Sequence, residues 1–267
     1  MQNSNIGFIG CGNIANAIIS GILGSGYIKP KNLHLFDLDK SKCEDYVSAG
    51  ATLHDTSREL VSACDFVFLT IKPQIYDIVL NEIKNVADTK CLIAVAAGIT
   101  INHIKEVLGY EASVIRVMPN TPLTFGEGAS ALVFNPPVTK EQFSFVKGMF
   151  ECSGVAVQVD EKHINTVTAI SGSAPAFVMR FANDFISFAV SNGLDKETAE
   201  ALVLQAVKGS AEMVKHSSES IDTLIKNVTS PNGTTEAGLN AMNSLDFDNT
   251  VDTFLKATLK RAEELTL

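Results

Sequence analysis

A glycine-rich turn near the N-terminus constrains the fold of this chain more than any other feature. The apolar run Ile6–Ile9 is followed by Gly10, Gly12 and Ala15 in the pattern Gly-x-Gly-x-x-Ala, and apolar residues then recur at helical spacing to Leu23. In a strand–turn–helix unit the first glycine allows a tight turn, and the alanine lets the helix pack closely on the strand. The pattern therefore predicts the first βα unit of a doubly wound sheet.

The same turn predicts a dinucleotide site. Gly12 would let a pyrophosphate approach the main chain beside Gly10, and the N–H groups of Asn13 and Ile14 would face its phosphates at the N-terminus of a helix. The alternative is a glycine-rich βα turn that binds no ligand.

The first half of the chain alternates apolar runs with helical segments. The runs are continuous, as in strands buried on both faces of a parallel sheet; they are Leu33–Phe36, Phe66–Thr70, Cys91–Ala97 and Val114–Met118. Capping boxes predict helix starts at Ser41/Glu44, Thr56/Glu59 and Thr139/Gln142. We predict an α/β Rossmann domain with a doubly wound, mainly parallel sheet over residues 1–159.

Strand patterns end near residue 160, and the remainder is predicted to be helical. Helical spacing is interrupted at Ser171–Pro175 and ends at Asn192-Gly193, Asp195 caps the next helix, and two more helices flank a loop at 229–235. We predict an all-α domain over residues 160–267.

Four phenylalanines recur at a spacing of three or four residues in the first of these helices: Phe177, Phe181, Phe185 and Phe188. Two interpretations are open. The stripe could form an internal core seam, or it could be the surface through which the helical domains of a homodimer interlock.

The composition of the chain limits the classes of partner that it can be expected to bind. The formal charge of −9 argues against nucleic acid or an anionic membrane as the main partner, and no apolar run is long enough for a membrane span or a secretion signal. The five cysteines are scattered and odd in number, which favours reduced thiols in a cytoplasmic protein. The five histidines lack ligand spacing, so no metal site is expected.

An acidic residue follows the second strand. At this position the Asp37 carboxylate would accept hydrogen bonds from the adenine ribose and repel a 2′-phosphate, which favours NADH over NADPH. Lys40 and Lys42 could soften that preference, but we favour their interpretation as solvated charges at a helix start.

Two further strand ends are placed to contact the cofactor. Ile71, Lys72 and Pro73 lie at the carboxyl edge of the sheet, where ligands bind in such folds. Ala97 and Gly98 are small enough to let a nicotinamide ring approach the main chain. Close helix–strand packing would account for them equally well.

The stretch Asn227–Thr235 points to the substrate. It holds hydroxyls, an amide, a proline and a glycine and leads directly into a helix, so it offers main-chain N–H groups suited to a carboxylate. It contains no charged general acid. A substrate with a carboxylate and an already basic nitrogen would suit such a loop.

Together these motifs resemble pyrroline-5-carboxylate reductase. The stretches that carry the resemblance, in the family's order, are Gly7–Asn13, Ile71–Pro73, Ala96–Ile99, Arg116–Pro122, Ser171–Ala176 and Val228–Thr235. The resemblance implies reduction of 1-pyrroline-5-carboxylate to L-proline with NADPH or NADH, the last step of proline synthesis. It also implies a Rossmann domain followed by a helical domain that interlocks with that of a second subunit, in dimers that commonly assemble into decamers.

The resemblance further implies roles for individual residues. The Thr235 hydroxyl would hydrogen-bond the ring nitrogen, Asn227 would brace the loop, and Ser173 could line the same pocket. The carboxylate would be held by Ser230, Gly233, Thr234 and the main chain of Thr235. An imine nitrogen can take its proton from water before the hydride arrives, so no strong protein acid is needed. We interpret Arg116 as part of a structural ion pair.

Two positions depart from the family's usual residues. Asn232 stands where the family has glycine, and Asn tolerates left-handed backbone better than other non-glycine residues, so the loop should keep its shape. Ala174 stands where the family has glycine or serine, and it is small enough to fit.

Three other functions stay open at this point. A β-hydroxyacid-type dehydrogenase would need a lysine acid/base with a nearby asparagine, and neither Lys208 nor Lys215 belongs to such a group. A deazaflavin-linked NADP reductase does not explain the loop at 229–235. A regulatory protein that binds dinucleotide without turnover is opposed by that same loop.

Overall fold

The computed structural model describes residues 3–267, and the chain divides into two compact units. The first comprises the residues up to Ser173 together with Thr258–Leu267, and the second is Ala174–Ala257. The sequence-based boundary at residue 160 marks the end of the strands. Residues 160–173 nevertheless belong to the first compact unit, together with the sheet.

One sheet forms the centre of the first unit. The strands in the described residues are β1 (Ile6–Ile9), β2 (Leu33–Phe36), β3 (Thr52–Leu53), β4 (Phe66–Leu69), β5 (Cys91–Ala94), β6 (Ser113–Met118), β7 (Gly128–Phe134) and β8 (Gly154–Gln158). Their order across the sheet is β3-β2-β1-β4-β5-β6-β7-β8. All neighbours are parallel except β6 and β7. The predicted doubly wound, mainly parallel sheet is confirmed.

The carboxyl ends of the central strands lie level with one another. Ile9 is paired with Phe36 on one side and Leu69 on the other, and Leu69 is paired with Ala94. The loops after β1, β2, β4 and β5 therefore emerge at one edge of the sheet. The chain order reverses at β1, and in open α/β sheets ligands bind at this switch point.

Strands β1, β4 and β5 are buried along their whole length, which explains their continuous apolar sequences. On one face of the sheet Phe8 stacks on Phe68 with ring centroids 4.4 Å apart. On the other face Tyr76 is fully buried, and its hydroxyl donates to the Leu69 carbonyl at 2.6 Å.

Seven α-helices of the described chain lie in the first unit. They are α1 (Asn13–Gly24), α2 (Glu44–Ser48), α3 (Ser57–Ala63), α4 (Tyr76–Ile83), α5 (Ile101–Leu108), α6 (Lys140–Glu151) and α7 (Ile164–Val167). A wide π-helical turn, Thr168–Gly172, follows α7 and overlaps the start of the predicted interruption, Ser171–Pro175.

Two predicted capping boxes form fully or in part. At α6 the box is confirmed, because the Thr139 hydroxyl accepts from the Gln142 N–H and the Gln142 side chain accepts from the Thr139 N–H. At α3 the Thr56 hydroxyl accepts from the Glu59 N–H, but the Glu59 carboxylate accepts from the Asp55 N–H instead.

The Ser41/Glu44 box is wrong. Asp39 lies two residues before Ser41, and its carboxylate accepts from the N–H and the hydroxyl of Ser41. Asp39 thereby caps a 3₁₀ turn, Lys40–Cys43, which leads into α2.

The second unit is helical. Its helices are α8 (Ala174–Ser191), α9 (Lys196–His216), α10 (Ile221–Asn227), α11 (Thr234–Ser244) and α12 (Phe247–Glu264), the last of which continues into the first unit. Asp195 caps α9 as predicted, accepting from the Thr198 N–H at 2.9 Å. Across residues 3–267, no helix has both the length and the apolar character that crossing a membrane requires.

Three strands of the sheet were not predicted from the sequence. β3 has only two residues, and β7 and β8 are rich in glycine and alanine, which carry little pattern. β8 also lies at the edge of the sheet and exposes Val155 and Val157.

Candidate functional site

The glycine-rich turn is fixed between two strand ends. The Gly10 N–H donates to the Phe36 carbonyl at 2.8 Å, and the Thr70 hydroxyl donates to the Gly10 carbonyl at 2.6 Å. Gly10 has a φ of +92°, and a Cβ there would lie 2.7 Å from the Thr70 carbonyl oxygen. Only glycine meets both conditions.

Gly12 and the first turn of α1 form a cradle for phosphates. A Cβ at Gly12 would meet nothing within 4 Å, so this glycine leaves open space in front of the helix. Gly12 is the N-cap and supplies no side-chain cap, which leaves the first-turn N–H groups, including those of Asn13 and Ile14, for an anion. No acidic side chain in that turn would compete with or repel an anion at the positive end of the helix. A dinucleotide pyrophosphate fits this cradle.

A pocket of about 560 Å³ opens beside the cradle. It brings together five residues selected from the sequence, namely Gly10, Gly12, Asp37, Ile71 and Lys72. Its apolar wall includes Leu38, Ile75 and Ile78, all exposed, which the sequence did not single out. Because they belong to no motif, only their grouping around one pocket identifies them.

Asp37 holds the turn as well as facing the pocket. Its Oδ2 accepts from the Cys11 N–H at 2.7 Å, and its Oδ1 accepts from the Asp39 N–H at 2.9 Å. Only 11% of the side chain is exposed. Much of the hydrogen-bond acceptor capacity of the Asp37 carboxylate is therefore used by main-chain N–H groups of the protein itself.

The two lysines after Asp37 are exposed at the start of a helical turn, as predicted, and each is also paired with a carboxylate. Lys40 Nζ lies 2.7 Å from Asp55 Oδ1, and Lys42 Nζ lies 3.2 Å from Asp37 Oδ1. The hydrogen bond with Asp37 raises the pKa of Lys42. The unpredicted 3₁₀ turn Lys40–Cys43 brings Lys42 back over Asp37, where it also lines the pocket.

The other predicted cofactor residues lie at the same sheet edge. Pro73 begins a 3₁₀ turn that leads into α4, and Ala97 is exposed. Gly98 is buried, with a φ of +81°, and a Cβ there would collide with the Leu265 carbonyl oxygen. Its own carbonyl accepts from the Leu267 N–H at 2.8 Å. Packing of this C-terminal segment is by itself sufficient to require glycine at position 98.

Arg116 forms the structural ion pair expected of it. Its side chain is 3% exposed, and Nη1 lies 3.1 Å from Glu161 Oε1, which also accepts from the Ile101 N–H at 3.0 Å. Burial lowers the pKa of Arg116, and the hydrogen bond with Glu161 opposes that shift.

Ser173 ends the π-helical turn. Its N–H donates to the Thr168 carbonyl at 2.8 Å, and the residue is half-buried. It belongs to the first compact unit, whereas the other predicted substrate residues belong to the second.

In the second unit, the loop between α10 and α11 forms a tight turn. The Gly233 N–H donates to the Ser230 carbonyl at 2.9 Å. Asn232 adopts the left-handed conformation with a φ of 58°, and its N–H donates to the Glu236 carboxylate at 2.8 Å. The turn forms with asparagine at this position, as expected from its tolerance of left-handed backbone.

Thr234 and Thr235 are exposed in the first turn of α11. Gly233 is the N-cap of this helix, so Thr235 does not serve as its cap. Asn227 differs from expectation. Its Nδ2 donates to the Glu219 carboxylate at 2.9 Å, which ties together the two ends of α10 and not the loop.

The phenylalanine stripe of α8 does not form a closed core within the chain. Phe177 packs on Phe254 with centroids 4.9 Å apart, but Phe181, Phe185 and Phe188 are 44%, 53% and 71% exposed. A groove of about 1010 Å³ between α8, α9 and α12 is lined mainly by apolar side chains. An apolar surface of this kind is typical of an interface.

The titratable residues offer no metal centre in the described part of the chain. All five cysteines are free thiols. No group of three or more His, Cys, Asp or Glu side chains between residues 3 and 267 could hold a metal ion.

Family models match both halves of the chain. The model described as pyrroline-5-carboxylate reductase dimerisation matches residues 161–265, and the model described as NADP oxidoreductase, coenzyme F420-dependent, matches residues 5–98. A third model, described as a baseplate hub distal subunit, matches residues 75–201. That range ends inside α9 and follows neither compact unit.

Several known proteins are similar over almost the whole chain. Pyrroline-5-carboxylate reductase 2 of Bacillus subtilis is 35% identical over 97% of this chain and 94% of its own length. The crystal structure of Plasmodium falciparum pyrroline carboxylate reductase with NADP bound is 33% identical, with a TM-score of 0.90 and complete coverage of both chains. A pyrroline-5-carboxylate reductase from Coxiella burnetii is 32% identical, with a TM-score of 0.94 over 99% of each chain.

Proposed function

Since the chain belongs to the pyrroline-5-carboxylate reductase family, we propose that it reduces 1-pyrroline-5-carboxylate to L-proline with NADH or NADPH. The observation that carries the proposal is the turn at Asn227–Thr235. Asn232 takes the left-handed conformation there, and the N-terminus of α11 has no side-chain cap. The match to the F420-dependent model covers only the dinucleotide-binding half, which many reactions share.

The first unit would hold the cofactor, which supplies a hydride for the imine carbon. The N–H groups of Gly12, Asn13 and Ile14 would bind the pyrophosphate, and Asp37 would accept from the adenine ribose. The rest of the wall would be formed by Gly10, Ile71, Lys72, Pro73 and Ala97. Gly98 would contribute indirectly, because its lack of a side chain leaves room for the C-terminal segment to pack against this strand end.

The loop of the second unit would hold the substrate. Uncapped N–H groups at the positive end of α11 suit a carboxylate, and they belong to Thr234 and Thr235, with the Ser230 hydroxyl beside them. Gly233 would contribute by shaping the turn, because its N–H is bonded to the Ser230 carbonyl. The Thr235 hydroxyl is not used as a helix cap, so it is available to the ring nitrogen. Ser173, in the first unit, stays a predicted substrate residue. Asn227 would keep α10 in place below the loop.

No charged acid is required in this scheme. The imine nitrogen of 1-pyrroline-5-carboxylate is basic enough to take a proton from water. The protein then has to orient the protonated ring and neutralise its carboxylate, which a helix N-terminus and neutral hydroxyls can do.

The helical part of the chain is a dimerisation domain. We propose that the apolar groove of α8, α9 and α12 is the surface through which two subunits interlock, and that the dimers assemble further into a decamer. The five free thiols support a cytoplasmic location.

The test is purified protein with 1-pyrroline-5-carboxylate and either NADH or NADPH, with the absorbance of the reduced nicotinamide followed and L-proline identified by chromatography. We expect proline to form in step with cofactor oxidation. The control substrate is 1-pyrroline, which lacks only the carboxylate and should react far more slowly. Absence of proline with both cofactors would overturn the proposal.

A further inference from the structure

We propose that Lys42 determines how well this protein accepts the 2′-phosphate of NADPH, by exchanging its ion pair with Asp37 for one with that phosphate. The inference rests on the proposed dinucleotide site. It makes Lys42 the specificity-determining residue at the ribose end of the pocket.

Asp37 alone does not set the preference, because its acceptors are largely occupied. It accepts from the Cys11 N–H, the Asp39 N–H and Lys42 Nζ, at 2.7, 2.9 and 3.2 Å. A carboxylate has about four lone-pair positions. Room therefore remains for one ribose hydroxyl, and the negative charge is already partly compensated by Lys42.

Lys42 is placed to serve a second anion. Its side chain is 44% exposed and lines the pocket beside Gly12 and Asp39. The ammonium has three N–H donors; one points to Asp37, and the next carboxylate, that of Asp39, lies 4.0 Å away. The remaining donors are available to a phosphate, and the long flexible stem of lysine allows the small rotation required.

The local balance of charge explains why moving Lys42 from Asp37 to the 2′-phosphate would affect NADPH binding. A 2′-phosphate carries about −1.5 to −2 charges at neutral pH, and without Lys42 it would face Asp37 and Asp39 unopposed. With Lys42 present, the phosphate gains a charge-assisted hydrogen bond, and with NADH the lysine stays on Asp37. The site can then accept either cofactor.

Lys40 provides the matched control. It lies on the same 3₁₀ turn, but its Nζ is bound to Asp55 at 2.7 Å, and it is not part of the pocket wall. A general loss of positive charge would affect Lys40→Met and Lys42→Met alike.

The experiment measures equilibrium binding of NADPH and NADH by nicotinamide fluorescence, without the imine substrate. We expect Lys42→Met to weaken NADPH binding about tenfold or more and NADH binding less than about threefold, because a charge-assisted hydrogen bond is lost only for NADPH. Lys42→Arg should retain the affinity for NADPH, and Lys40→Met should leave the affinity for both cofactors unchanged. Competition by 2′,5′-ADP and 5′-AMP should reproduce the difference with fragments that cannot react.

Two results would overturn the role of Lys42. Equal weakening of both cofactors would make it only a brace for the glycine-rich turn, and unchanged binding of both would remove it from the site. A protein that shows the Lys42-dependent difference in binding but makes no proline would contradict the proposed reaction and still support this inference.

Discussion

The Asp37 carboxylate accepts a hydrogen bond from the Cys11 main-chain N–H at 2.7 Å, which ties the end of β2 to the glycine-rich turn. Cys11 is fully buried, so its N–H would otherwise have no access to water. Asp37, which is expected to bind the adenine ribose, thus also holds in place the turn that is expected to bind the pyrophosphate.

Replacing Asp37 should therefore destabilise the protein even without cofactor. We expect Asp37→Ser to lower the free energy of unfolding by about 1–3 kcal/mol, because a buried N–H loses a charged acceptor. Asp37→Asn keeps an oxygen for Cys11 and should cost less. Urea unfolding of the three proteins gives the comparison, and a serine variant as stable as the original would contradict the supporting role.

Replacement by alanine should lower stability at Gly98 but dinucleotide affinity at Gly12. At Gly98 the added Cβ meets the Leu265 carbonyl and the φ is +81°, so Gly98→Ala should cost about 1–3 kcal/mol of stability. At Gly12 the φ is −81° and the Cβ meets no atom, so Gly12→Ala should fold normally. It should nevertheless lose dinucleotide affinity, because the methyl group occupies the phosphate cradle.

Thermal unfolding and cofactor titration separate these two effects. The interpretation fails at Gly98 if alanine there leaves the melting temperature unchanged. It fails at Gly12 if alanine lowers stability as much as it lowers affinity.

The central strands of the sheet could be predicted because their signals are local. β1, β4 and β5 are covered on both faces, so each reads as an unbroken apolar run. The box at Thr139 could be predicted for the same reason, since both partners lie within one turn. The Ser41 box failed because Asp39, two residues earlier, competes for the same N–H.

Other features depend on contacts that no local pattern carries. The C-terminal segment that covers Gly98 is distant in sequence, so no local pattern could decide between close packing and space for a ligand at this strand end. The pairing of Lys42 with Asp37 depends on a 3₁₀ turn that was not expected. The stripe around Phe185 has the same spacing in a core as in an interface, and only its exposure separates the two.

Disrupting the apolar groove should dissociate the subunits. Phe185 is 53% exposed and packs on Phe181 with centroids 4.6 Å apart. A charge at the centre of an interface typically costs about 2 kcal/mol or more, so Phe185→Asp should raise the dimer dissociation constant about thirtyfold. Sedimentation equilibrium measures the change, with Phe185→Leu as the control. A dimer that is unaffected by aspartate would place the interface elsewhere.

Removing the hydroxyl of Thr235 should impair catalysis without impairing folding. Thr235→Val keeps the shape of the side chain and removes the donor, so kcat/KM for 1-pyrroline-5-carboxylate should fall about 10²-fold. Thr198→Val is the matched control, because Thr198 is also an exposed threonine in the first turn of a helix. Cofactor binding should persist in both variants. A loss of only a few-fold in Thr235→Val would exclude this hydroxyl from the reaction.

The left-handed conformation of Asn232 should control substrate affinity through the shape of the loop. Asn232→Gly should leave KM close to its original value, because glycine adopts a φ of 58° without strain. Asn232→Ala should cost about 1–2 kcal/mol and raise KM for the substrate about tenfold, since alanine disfavours this conformation and the carboxylate seat would distort. Asp246→Ala is the control, because Asp246 has a φ of 54° outside the loop and should lose stability without a change in KM. If Asn232→Gly and Asn232→Ala bind the substrate equally well, backbone geometry at this position does not set the affinity.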